Sequence, residues 1–289
     1  MVSALAGCDG AADAGGDGGF SVVTSFYPLA FVTERVGGNC VEVTDLTPPG
    51  VEPHDLELTP DGVAAIATAD VVLYLGGGFQ PGVEDAIDEA DGTTVDLLRS
   101  VPTLPNAEDE DDAPAVDPHV WLDPVRFAAV ASEVETLLTA ADLPASCAIG
   151  DRGADLRSDL EALDERFREG LAGCRLDVFV TAHAAFAYLA DAYGLRQEAI
   201  TGLEPEAEPD PQRLAEIAEI VRREQVDVIF TEELVAPDVA ETIAAETGAR
   251  TAVLATIEGL PDEERSAGED YLSLMGRNLD ALRDALDCA

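Results

Sequence analysis

The segment DRGADLRSDLEALDERFREGLAG, residues 151–173, decides how this chain divides. Leu156, Leu160, Leu163 and Phe167 recur at steps of three and four, the spacing that lines one face of an α-helix. Charged residues fill most of the positions between them. No strand pattern precedes the segment, and Gly173 closes it. Strand-like runs crowd the sequence on both sides. A long helix between two strand-rich halves reads as a spine joining two lobes.

Toward the N-terminus the runs SVVTSF (21–26), CVEVTDL (40–46), DVVLYLG (70–76) and TTVDLL (93–98) read as strands. YPLAFVTERVGG (27–38) and PDGVAAIATA (60–69) lie between them as helices, the second opened by Pro60. PVRFAAVASEVETLLTAADL (124–143) is a further helix before the spine. Beyond the spine the alternation resumes. DVFVTA (177–182), RQEAITG (196–202), VDVIFTE (226–232) and ARTAVLAT (249–256) read as strands. AAFAYLADAYG (184–194), DPQRLAEIAEIVRREQ (210–225) and APDVAETIAAETG (236–248) read as helices, with EDYLSLMGRNLDALRDAL (269–286) closing the chain. Strand and helix in alternation specify mainly parallel sheets covered on both faces. The expected fold is α/β, with two lobes, each a mainly parallel sheet flanked by helices, joined by a long rigid linker helix. The expected divisions are a tether at 1–19, an N-terminal lobe at 20–150, the linker helix at 151–173 and a C-terminal lobe at 174–289.

The chain has 289 residues, 47% of them hydrophobic, so a substantial core can be buried. Its formal net charge is −43, and every one of its 16 basic residues is Arg. Such a charge argues against binding nucleic acid or an anionic membrane surface. An acidic surface without Lys suits very high salt, where self-repulsion is screened. The acidic run EDEDD at 108–112 reads as a solvated loop, with weak attraction of cations as the alternative. SALAGC, residues 3–8, resembles a lipobox, with Cys8 as the lipid-bearing residue. The Gly/Asp/Ala stretch after it reads as a flexible tether. No stretch is long and apolar enough to span a bilayer. The other four cysteines, Cys40, Cys147, Cys174 and Cys288, allow three disulfide pairings. The sequence does not choose among them, though Cys174 with Cys288 is favoured because both fall in the second half.

The chain has only 3 histidines. His54 lies in a loop after the second strand, His119 follows the acidic loop, and His183 comes just after DVFVTA. All three therefore sit near the carboxyl edges of predicted strands, where α/β sheets bind ligands. Two come from one lobe and one from the other. Neutral imidazoles suit Zn²⁺, and three of them leave a fourth position open. HExxH, GxSxG, P-loop and GxGxxG patterns are all absent. LGGGFQPG (75–82) is glycine-rich but lacks a phosphate loop's Lys-Ser/Thr, so it reads as a turn. In VDPHVWLDP (116–124), two Asp-Pro pairs stiffen the frame around His119. Asp117 or Asp123 is placed to orient its ring, and Trp121 is expected in the core beneath.

TPPGVEPHDLELTP (47–60), DPHVWLDP (117–124), TAHAAFAYLADAYGL (181–195), EAEPDPQRLAEI (206–217), VIFTEELVAP (228–237) and DYLSLMGRNLDAL (270–282) together carry a resemblance. From Ser21 to Leu286 the chain resembles the zinc/manganese-type solute-binding lipoproteins of metal ABC importers. The resemblance implies two α/β lobes on a rigid helix with metal held between them. It makes His54, His119 and His183 the first three ligands. Ala255 stands where such proteins usually carry a fourth, an Asp. Water, Glu232 or Glu258 is then left to complete the shell, with Glu232 better suited to a supporting role.

Imidazole at the third position favours Zn²⁺, with Mn²⁺ or Fe²⁺ as the alternative. The implied partners are an ABC permease and its ATPase, and the implied state is a monomer anchored outside the cytoplasm by lipid on Cys8. The role is capture and delivery of a divalent metal, without enzymatic activity. A zinc-dependent hydrolase and a surface adhesin are the rival classes. Binding requires neutral histidines, which sets an expected loss of affinity below about pH 6.

Overall fold

The computed structural model describes residues 19–106 and 116–289. Cys8, nearly all of the tether and the acidic run 108–112 fall outside them. The first half lays down β1 (Phe20–Thr24), α1 (Tyr27–Gly37), β2 (Val41–Asp45), α2 (Pro60–Thr68), β3 (Val71–Tyr74), α3 (Pro81–Ala86) and β4 (Thr93–Asp96). Next come α4 (Pro124–Ala140) and the spine α5 (Ile149–Gly170). The second half adds β5 (Val178–Thr181), α6 (Ala187–Tyr193), β6 (Arg196–Ala199), α7 (Pro211–Glu224), β7 (Val228–Thr231), α8 (Asp238–Thr247), β8 (Arg250–Val253), α9 (Asp262–Ala267) and α10 (Tyr271–Ala285).

Each half forms one 4-stranded parallel sheet, ordered β2-β1-β3-β4 in the first and β6-β5-β7-β8 in the second. The winding is the same in both. The chain adds its second strand to one side of the first, then crosses to the other side. The central pairs β1/β3 and β5/β7 thus flank a switch point, where the loops leaving adjacent strands diverge and open a crevice. Every residue of β5 and β7 is buried, as sheets covered on both faces require. Pro opens α2, α4 and α7, and the side chains of Thr59, Asp123 and Asp210 accept hydrogen bonds from their first turns.

Spine α5 buries Ile149, Gly153, Leu156, Leu160, Leu163 and Phe167 on one stripe. The stripe packs on α1 and α4 of the first half and on α10 of the second. Disulfides Cys40–Cys147 and Cys174–Cys288 staple the chain just before and just after this helix. One apolar cluster, including Phe26, Trp121, Phe127, Leu160, Tyr188, Leu254 and Tyr271, runs through both halves. An apolar contact of this kind holds two lobes more firmly than the usual polar domain interface.

The structure shifts some sequence-based boundaries. The spine runs 149–170 rather than 151–173, because Ala148, at φ 51°, makes a left-handed break just before it, and Leu171 caps its end. The helix expected from residue 184 starts at Ala187. The residues before it are taken up by the carbonyl of His183, which Thr181 and Gln197 both hold. Helix α9 has no buried residue, so no apolar period announced it. No described helix is long and apolar enough to cross a membrane.

Candidate metal centre

His119 is fixed by the turn that carries it. Asp117 accepts from the His119 backbone N–H at 2.9 Å and meets the ring Nδ1 at 2.7 Å, both through Oδ1. Nδ1 is therefore the donor, and Nε2 presents its lone pair to the crevice. Asp123 does different work: it caps α4 by accepting from Val125 N–H at 2.9 Å and pairs with Arg126. Trp121 is buried with its ring centroid 5.0 Å from that of His119. Its Nε1 donates to the Thr256 carbonyl at 2.7 Å. The two Asp-Pro pairs thus part roles, one aiming a ring and the other starting a helix.

His183 leaves the central strand β5, and Glu232 leaves its neighbour β7. Strands one ladder spacing apart put the two residues in direct reach. Glu232 accepts the His183 backbone N–H at 3.1 Å and meets Nδ1 at 2.7 Å, one oxygen to each. Nε2 then faces Nε2 of His119 across 3.4 Å. Two imidazoles from opposite halves meet in one crevice.

His54 arrives on the loop between β2 and α2. Buried Gln80 steadies that loop by donating to the carbonyls of Ser25 and Pro53 and to the Thr47 hydroxyl. Phe79 packs edge-on against the ring at 4.7 Å. Both residues belong to the stretch read as a mere turn. It is a turn, with Gly77 and Gly78 at positive φ, but it also supports the candidate ligand His54.

Glu258 completes the group. Its Oε1 lies 3.2 Å from His119 Nε2, 3.7 Å from His183 Nε2 and 3.7 Å from His54 Nε2. Candidate donor atoms of His54, His119, His183 and Glu258 all fall within 4.8 Å of one another. Glu232, the other carboxylate considered for the fourth position, stands behind His183. Ala255 is buried and anchored instead: Asn278 accepts from its N–H at 2.8 Å and donates to its carbonyl at 2.7 Å. The chain then passes Thr256, held by Trp121, and Ile257 in a left-handed conformation at φ 57°. A β-branched residue adopts that conformation only under constraint, and here it turns the next side chain into the crevice.

The electrostatics call for a cation. Burial lowers the His54 imidazole, but Glu204 and Glu258 outweigh it and lift the pKa to about 9. Burial likewise opposes the charge on His183, yet Glu232 and Glu258 raise it well above its ordinary value. Glu258 is pushed up by burial and drawn well below the carboxylate range by the imidazoles of His119, His183 and His54. Both Glu258 oxygens and both His54 ring nitrogens are buried without a hydrogen-bond partner. Zinc bound at about 2.0–2.1 Å in a tetrahedron separates its donors by about 3.4 Å. Four of the six donor–donor edges, at 3.2–3.7 Å, match that figure, and the two from His54 to the other imidazoles lie within 4.8 Å.

Comparison with known proteins follows the same line. A family model described as the zinc-uptake complex component A, periplasmic (ZnuA), matches residues 22–285. The chain is 34% identical over 289 residues to the high-affinity zinc uptake system protein ZnuA of Bacillus subtilis, covering 96% of this chain and 90% of that protein. It is 37% identical to the zinc-binding lipoprotein AdcA of Streptococcus pneumoniae over 94% of this chain, but spans only 56% of that protein. Among solved structures, the Zn(II)-bound ZnuA-like domain of that AdcA superposes with a TM-score of 0.79 at 37% identity, covering 93% of this chain and all (100%) of the domain. The laminin-binding protein Lmb of Streptococcus agalactiae, described as having adhesin and metal-transporting activity, gives 0.82 at 31% identity, covering 93% of this chain and 100% of Lmb.

Proposed function

The chain belongs to the periplasmic component A family of zinc-uptake complexes, and from that premise we propose that it captures Zn²⁺ in the crevice between its lobes and delivers it to an ABC importer. His54, His119, His183 and Glu258 are the ligands of this reading, and the ion is cargo rather than a resident cofactor. The observation that carries it is the convergence of three imidazoles and one carboxylate, the carboxylate with neither oxygen hydrogen-bonded.

The donor set favours zinc over manganese. Imidazole is a good zinc ligand, whereas Mn²⁺ prefers more oxygens in an octahedron. The side chains of His119, His183 and Glu258 are 0% exposed, so water has little access to extend the shell. The same closure argues against a hydrolase, whose zinc keeps a position open for water. The −43 charge suits a saline setting, and the disulfides Cys40–Cys147 and Cys174–Cys288 suit one outside the cytoplasm; in this reading lipid on Cys8 is the anchor and a permease and ATPase are the partners. Calorimetric titration of the metal-stripped protein with Zn²⁺ and Mn²⁺ in molar KCl tests the proposal. Tight 1:1 zinc binding with much weaker manganese is expected, and equal affinities would refute the zinc assignment.

Likeness to Lmb favours surface adhesion as a second role. Host-surface binding that persists in His119→Ala would support it as a separate activity.

A further inference from the structure

Each imidazole of the crevice faces a carboxylate on its far nitrogen, but the three pairs are not alike. His119 meets Asp117 and His183 meets Glu232, each at 2.7 Å, with the carboxylate side chains 3% and 2% exposed. Each of these pairs lies within one half of the chain. His54 differs. Its Nδ1 is buried without a hydrogen-bond partner and lies 3.8 Å from Oε2 of Glu204, whose side chain is 49% exposed. Glu204 comes from the opposite half, on the segment between β6 and α7. Leu203 and Pro205 beside it are buried, so its backbone is anchored while its side chain stands at the crevice mouth.

An imidazole that ligates a metal through one nitrogen needs an acceptor for the proton on the other. For His54 that acceptor is within about 1 Å of hydrogen-bond distance.

We propose that Glu204 is the positioning residue of His54, a latch from the opposite lobe that closes on its Nδ1 when zinc is held and so slows zinc release. The inference rests on the zinc-binding reading above. In the loaded protein Glu204 accepts a hydrogen bond from His54 Nδ1, and the contact joins the two halves at the solvent side of the site. The exit of zinc requires His54 to swing away, and Glu204 restrains that swing. Asp117 and Glu232 aim rings that are already locked in their own halves, so they set affinity without gating release.

The test is zinc release into excess chelator, followed by stopped flow in molar KCl, for wild type, Glu204→Ala, Glu204→Gln and Glu206→Ala. Glu206 is an exposed neighbour on the same segment and controls for loss of surface charge. Supporting carboxylates around metal sites contribute roughly 10–100-fold in affinity. Being exposed, Glu204 belongs at the low end, so Glu204→Ala should release zinc about tenfold faster. Glu204→Gln should fall between it and wild type, and Glu206→Ala should match wild type. The Co²⁺ absorption spectrum and the far-ultraviolet circular dichroism of the metal-free protein should not change, because the ligands and the fold are untouched. Equal release rates in Glu204→Ala and Glu206→Ala, with 1:1 zinc binding intact, would overturn the latch alone. A wild-type protein that takes up no Zn²⁺ would overturn the underlying reading as well.

Discussion

Changing pH should move zinc affinity over a window set by the crevice rather than by free histidine. A ligating imidazole must be neutral, so zinc displaces any proton the metal-free site holds. The carboxylates of Glu204 and Glu258 lift His54 to about 9, and those of Glu232 and Glu258 lift His183 as well. Below its pKa, each displaced proton weakens apparent affinity about tenfold per pH unit, or about 1.4 kcal/mol. His54 alone makes zinc binding about 50-fold weaker at pH 7 than at pH 9. Where His183 is protonated too, the slope approaches about two decades per pH unit. The loss of affinity therefore begins well above the pH 6 expected from an unperturbed imidazole.

The stability of the metal-free protein runs the opposite way. A histidine whose folded pKa exceeds its unfolded value stabilises the fold fully below about 6.5, and the effect fades as pH rises through the folded value. For His54 that is roughly 3 kcal/mol lost between pH 6.5 and 9, so stabilisation by zinc should grow with pH. Competition against a chelator of known affinity from pH 6 to 9.5, with calorimetry in two buffers of different ionisation enthalpy, measures both slope and proton release. A flat affinity between pH 7 and 8.5, with no proton released, would refute the reasoning.

Glu258→Gln removes the anionic donor and should weaken zinc more than Glu232→Gln, which should lose about 10–100-fold by loosening the His183 ring. Chelator competition ranks the two, and the reverse order would exchange their roles. Asn278→Ala leaves a buried peptide with two unpaired groups, which should cost about 2–4 kcal/mol in denaturant unfolding and weaken zinc through the Glu258 loop. A loss under about 1 kcal/mol would mean that the loop does not depend on this clamp. The disulfides close separations of 107 and 114 residues that do not overlap. Chain entropy assigns each about 4.8 kcal/mol, so replacing either Cys pair with Ser should cost about 2–5 kcal/mol, and a cost below about 1 kcal/mol would contradict that account.

The sequence made the alternation of strands and helices legible because buried parallel strands are short apolar runs and helices carry a 3.6-residue stripe. The histidines were legible for a related reason: there are only 3, and each follows a strand. The fourth member was harder to find. Glu258 lies three positions beyond Ala255, and what turns it inward is the left-handed backbone of Ile257, a conformation that a β-branched residue does not advertise. Gln80 and Asn278 act through contacts made only after folding, Asn278 reaching 23 positions back to Ala255. Glu204 was hidden among 59 acidic residues, nearly all of them surface charge as far as sequence can tell.

These supports also decide which part of the site yields. Trp121 reaches Thr256, Tyr271 donates to the Trp121 carbonyl at 2.6 Å, and Tyr188 donates to the Asp117 carbonyl at 2.6 Å. The loop of His119 is therefore bonded into the second half, beside His183 and the Glu258 loop. With both ends of α5 stapled by disulfides, three of the four donors belong to one stiff frame. His54 is the exception. Its shortest polar contacts to the second half are 3.7 and 3.8 Å, and its loop carries the exposed, turn-forming Pro48, Pro49 and Gly50. A frame this stiff cannot open for zinc by wholesale lobe rotation at small cost. The movement falls instead to His54 itself, and the carboxylate that restrains it from across the mouth is Glu204.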